Sequence, residues 1–275
     1  MIMKKLRPLF SIFLMISFSV PVFVSADGDA LRPDFDHTHS AFTAVLETYV
    51  TDGMVSYEEL IKNREGLDVY ITSLTDVSHE LYKRFSSNER LAFLINAYNA
   101  FTIDLILQHY PLSSILEIPN AWDDHHWVLL DSSRTLNHIE HEIIRKKFDE
   151  PLIHFALVCA AKGCPKLPSV AFRGDSLENQ LKSVAEAFIR DVSRNRLERE
   201  SQTLHLSKIF EWYGDDFVSR WSGAAVPDTH MTTVDRSLVG VFQTYGAADD
   251  SIFLMSNPVT IRYLEYDWAL NDPRP

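Results

Sequence analysis

Leu91 to Phe101 reads Leu-Ala-Phe-Leu-Ile-Asn-Ala-Tyr-Asn-Ala-Phe, which puts apolar side chains on nearly every face of the helix it would form. Such a helix has no side to offer water, so the rest of the chain must be arranged around it. Ser87-Asn88-Glu89 opens this helix and Pro111 closes it. Asn96 and Asn99 stand three apart on one face, and inside a core each amide needs a hydrogen-bond partner. In one reading both tie the helix to neighbouring backbone. In the other, Asn96 lines a cavity, where it orients a base or donates to an oxyanion.

Shorter elements surround this centre. Phe42, Val45, Leu46 and Tyr49 share one face of a helix expected over about 37–49, and Ser56-Tyr57-Glu58-Glu59 has the form of a capping box that starts a second. A helix is expected over 136–148, carrying His138, Glu140 and His141, followed by a strand over 154–159 and a helix over 177–192. Residues 203–206 read as a strand that leads into a helical turn at 207–213, then Asp215 and Asp216; 234–245 reads as the final helix and 259–268 as a last strand. The strands are too few for a doubly wound sheet and the helices too interrupted for a plain bundle. The expected class is α+β, a helix-rich single domain with a small β-sheet.

Lys4, Lys5 and Arg7 precede an apolar run that is too short to cross a bilayer and is broken by Pro21. Val24-Ser25-Ala26 then supplies the small residues that signal peptidase reads. Residues 1–26 are therefore expected to be a secretory signal cleaved near Ala26, leaving an exported protein, periplasmic or secreted, with no stable membrane anchor. Residues 27–275, with no internal repeat or low-complexity linker, form the single domain. Cleavage moves the formal net charge from −12 to −15. A surface so acidic repels phosphate backbones, which disfavours nucleic acid and anionic membranes and leaves a small molecule or peptide as the partner class.

Both cysteines fall within residues 154–167, His-Phe-Ala-Leu-Val-Cys-Ala-Ala-Lys-Gly-Cys-Pro-Lys-Leu. Any thiol chemistry is confined there. Cys164 sits between Lys162 and Lys166, and Pro165 is expected to start a turn whose free amides face the sulfur and lower its pKa. His141 and His154 are the available bases, with Glu140, Asp267 or Asn96 to orient the ring, so one reading is a Cys/His hydrolase or acyltransferase. The competing reading is a Cys159–Cys164 disulfide in a non-catalytic binding module, favoured by the oxidising compartment and the close spacing. Thiol-disulfide exchange ranks third, because the spacing is Cys-x-x-x-x-Cys rather than Cys-x-x-Cys.

No metal or cofactor is expected. The 11 histidines include no His-Glu-x-x-His; His138 and His141 share a helix face but would need a third ligand from His154 or Asp123. Asp123-Asp124 and Asp215-Asp216 read as turn or helix-end acids. Trp212, Tyr213 and Trp268 form either an aromatic wall for a ligand or part of the core.

Several segments occur together in order: Phe93 to Ala100, Ile139-Glu140-His141 with Ile144-Arg145, the 154–167 stretch, Leu206 to Tyr213 with Asp216-Phe217, and Tyr266 to Asn271. In this combination the chain resembles the bacterial domain of unknown function 547 family. That family is defined by sequence, so the resemblance implies a shared fold and no particular reaction.

Overall fold

The computed structural model describes residues 35–228 and 230–274; the expected signal segment lies outside them. Its helices are α1 (Ser40–Tyr49), α2 (Tyr57–Lys62), α3 (Glu65–Thr75), α4 (His79–Tyr82), α5 (Ser87–His109), α6 (Arg145–Lys147), α7 (Leu177–Ile189), α8 (Lys208–Tyr213), α9 (Val218–Trp221), α10 (Thr233–Tyr245) and α11 (Ala248–Ser256). The strands are β1 (Val50–Thr51), β2 (Met54–Val55), β3 (Trp127–Leu129), β4 (Ser132–Arg134), β5 (Arg196–Glu198), β6 (Thr203–Leu206) and β7 (Thr260–Tyr263). This is a helix-rich α+β domain.

Helix α5 is the centre that its composition demands. Every residue from Leu91 to Leu107 is buried, so a helix long and apolar enough to span a membrane is here the core of the fold. It starts on a reciprocal capping box, in which the Ser86 hydroxyl accepts from the Glu89 amide and Glu89 accepts from the Ser86 amide at 2.7 Å. The polar groups it buries are all bonded. Asp104 accepts from Arg64 at 2.9 Å, Trp127 Nε1 at 2.8 Å and Gln108 at 2.7 Å, and the Thr102 hydroxyl donates to the Tyr98 carbonyl.

The strands make two antiparallel hairpins, β1-β2 and β3-β4, and a three-stranded sheet ordered β5-β6-β7, with β5 antiparallel and β7 parallel to β6. Leu204 and Leu206 of β6 are fully buried. The sheet delivers the chain to Ser207, whose hydroxyl accepts from the Ile209 amide and caps α8.

Several local expectations need correction, among them the last helix, which is α11 rather than the one expected over 234–245. Residues 154–159 are not a strand: Pro151–Phe155 is a 3-10 helix, and the chain then runs without regular structure to Cys159. A short apolar run suits a buried helical turn as well as a strand, and Pro151 at its start favours the turn. The last strand covers only 260–263. Helix α7 stops at Ile189, leaving Val192 at 72% exposure beyond its end. Residues 138–144, expected as ordinary helix, form a π-helix that runs into α6. At α2, Ser56 occupies the cap position but its side chain makes no capping bond.

Candidate functional site: an aromatic cavity beside the cysteine pair

A cavity of about 310 Å³ opens where α5, the π-helix, the 154–165 segment, α8 and the 266–268 segment converge. Tyr98, Trp122, Trp212, Tyr213, Tyr266 and Trp268 supply its aromatic surface, and Glu140, Asn137, His154, Cys159 and Cys164 add its polar and sulfur atoms.

The cysteines are paired. Their sulfurs lie within bonding distance, with Cα atoms 6.3 Å apart, and the described residues contain no free cysteine. Neither turn nor helix starts at Pro165, so the expected turn amides are not what faces Cys164. The Cys164 sulfur instead accepts from the Cys159 amide at 3.0 Å and from the Tyr266 hydroxyl at 3.1 Å, and that hydroxyl lies 3.3 Å from the Cys159 sulfur. Cys164 is buried whereas Cys159 is partly exposed. Lys166 turns away to pair with Asp52, and Arg194 binds the loop from below by donating to the carbonyls of Lys162 and Cys164.

The C-terminal segment runs against this loop and sets the aromatic wall. Lys162 N donates to the Ala269 carbonyl, Gly163 N to the Asp267 carbonyl, and Asn271 N to the Ala160 carbonyl. Gly163 allows this approach: a Cβ there would stand 2.9 Å from the Tyr266 ring and 3.0 Å from the Asp267 backbone. Tyr266 and Trp268 then pack with ring centroids 4.6 Å apart, and Trp212 of α8 meets them at 4.9 and 5.8 Å. Of the two readings of Trp212, Tyr213 and Trp268, wall or core, their placement matches the first: all three line the cavity, and Trp212 is 45% exposed.

Two residues of the π-helix part company. Glu140 is buried and lines the cavity, where the Tyr98 and Tyr213 hydroxyls donate to its carboxylate. Burial first, and the Glu140 charge second, hold both hydroxyls far above the usual tyrosine range. His141 does not line the cavity; its Nδ1 lies 2.9 Å from Arg145 Nη1.

His154 does line it, but its Nε2 is engaged 2.7 Å from Asp216 Oδ2. Arg145 grips the same carboxylate with two N–H donors at 2.7 and 2.8 Å. Burial alone would raise the Asp216 pKa; bonds from His154 and Arg145 outweigh it and hold the carboxyl well below the usual carboxylate range. The His154 ring stacks on Tyr213 at 4.0 Å between centroids.

The remaining residues singled out in the sequence are not at the cavity. Asn96 grips Phe172 from both sides, donating to its carbonyl at 2.7 Å and accepting from its amide at 2.9 Å. Asp267 is exposed, and its side chain accepts from the Ala269 amide. Asn99 takes the structural role that sequence reasoning assigned to both amides: it donates to the Ala156 carbonyl and accepts from the Val158 amide, each at 2.9 Å, and so fixes the approach to Cys159. Tyr98, Trp122, Tyr266, Arg145 and Asp216 were not identified as site residues, although all but Trp122 lie in the segments that carried the family resemblance. Among the described residues no group of three or more His, Cys, Asp or Glu is placed to hold a metal ion.

Fold and cavity together define a helix-rich α+β domain with an aromatic pocket walled on one side by a cysteine pair. The sequence model of a family described as protein of unknown function, DUF547, matches residues 82–189, and the chain resembles that family over this stretch. Comparison with curated proteins gives no match, and neither does comparison with solved structures.

Proposed function

We propose that this chain is an exported, non-catalytic binding module that takes a small molecule into the aromatic cavity, with the Cys159–Cys164 pair serving as a structural disulfide in its wall. The observation that carries the reading is the cavity itself, about 310 Å³ with six aromatic side chains and a few convergent polar groups. Export rests on the N-terminal residues 1–26 and suits a bonded cysteine pair. A thiol hydrolase or acyltransferase is less well supported. It needs a free sulfur, whereas the two sulfurs are paired.

Titration of the unreduced protein with a panel of small neutral and charged organic molecules, read by tryptophan fluorescence, tests the proposal. At least one compound should give a saturable change, weakened by Trp212→Leu. A flat response across the panel would refute it.

A second reading, thiol-disulfide exchange, draws on one specific observation. Attack by a partner thiolate on the partly exposed Cys159 sulfur would break the S–S bond and leave the electron pair on Cys164. That sulfur already receives the Cys159 amide and the Tyr266 hydroxyl, which would stabilise the thiolate. A second partner thiol would then release Cys159, so the partner is oxidised and the pair reduced.

A further inference from the structure

Glu140 is the only carboxylate lining the cavity among the described residues, and no Lys or Arg lines it. It is 5% exposed and so largely shielded from water. Arg145, whose guanidinium feels the Glu140 charge, is matched by Asp216 through two hydrogen bonds, so Glu140 has hydroxyl donors but, among the described residues, no cation bonded to it. Around it stand indole rings. Tyr213 has His154 stacked on it and Arg145 5.2 Å from its centroid, whereas Trp212, Trp268 and Trp122 bring their rings to the cavity.

We infer that the cavity selects organic cations, a quaternary or alkylated ammonium group set against the indole rings with Glu140 as its counter-charge. The physical reason is twofold. An indole face attracts a cation by its quadrupole, most strongly where the pair is shielded from water, and a carboxylate in the same enclosure adds a direct Coulomb attraction. A bulky alkylated ammonium gives up less hydration than a primary amine on entering such a site. The inference rests on the binding reading above and names the ligand class.

Choline and its neutral carbon isostere 3,3-dimethylbutan-1-ol separate the two claims, since they share shape and differ in charge. With the unreduced full chain, titrations read by calorimetry and tryptophan fluorescence should show choline binding at least about tenfold more tightly than the isostere. Glu140→Gln should weaken choline at least about tenfold and leave the isostere unchanged, and Trp212→Leu, at an exposed part of the wall, should weaken choline while the protein stays folded. Equal affinity for the two probes, or a Glu140→Gln variant that keeps its choline affinity, would overturn the cation inference and leave small-molecule binding standing. If neither probe binds but indole does, the cation inference fails alone; if indole fails as well, both readings fail.

Discussion

His39 shows how far a single buried group can govern stability. Its Nδ1 lies 2.8 Å from the Tyr70 hydroxyl, while Nε2 is buried without a partner, and burial depresses its pKa to about 4 despite the opposing pull of Asp36. The folded protein therefore keeps His39 neutral at pH values where the unfolded chain, near 6.5, has begun to bind a proton. Stability from this group is complete above about pH 6.5 and is lost as pH falls toward 4, by about 3 kcal/mol in all. Urea denaturation at a series of pH values should show this slope in the wild type and a shallower one in His39→Gln. Equal slopes would remove His39 as the cause. At the same scale, Asp216 fixes the orientation of the His154 ring, since one carboxylate is bonded to both imidazole and guanidinium.

At the scale of elements, the cavity depends on side chains that stand in for backbone pairing. Asn99 satisfies one buried carbonyl and one buried amide in the irregular stretch that leads to Cys159. Asn99→Ala should cost about 2–4 kcal/mol, because two buried backbone groups lose their partners at once. Asn96→Ala, which frees Phe172 instead, should cost a similar amount without altering ligand binding in the cavity. Denaturant midpoints and binding titrations on the two variants check this, and a neutral Asn99→Ala would contradict it.

These elements also mark where sequence reasoning reaches and where it stops. Helix α5 was readable because its own composition forces burial. The 154–159 run was misread because a handful of apolar residues has no period long enough to separate strand from buried turn. The π-helix was invisible for a related reason: over seven residues its pattern departs too little from that of an α-helix to be told apart. The cysteine pair and His154 were found from local motifs. Tyr98, Trp122 and Asp216 were not, since an isolated Tyr, Trp or Asp acquires its role only when distant segments meet.

In the whole molecule, the buried helix α5, the π-helix, α8 and the C-terminal segment meet at one aromatic hollow, and the cysteine pair closes its side. Residues 160–163 and 267–271 are linked by backbone hydrogen bonds, so the pair and the aromatic wall form a continuous unit. Held in this way, the wall needs no free thiol to keep its shape. The most direct test is mass spectrometry of protein isolated from the periplasm without reductant and treated with an alkylating agent. The account predicts a chain beginning near Asp27, with neither Cys159 nor Cys164 alkylated until a reductant is added. Two alkyl groups attached before reduction would contradict it, since the wall of the cavity would then carry free thiols.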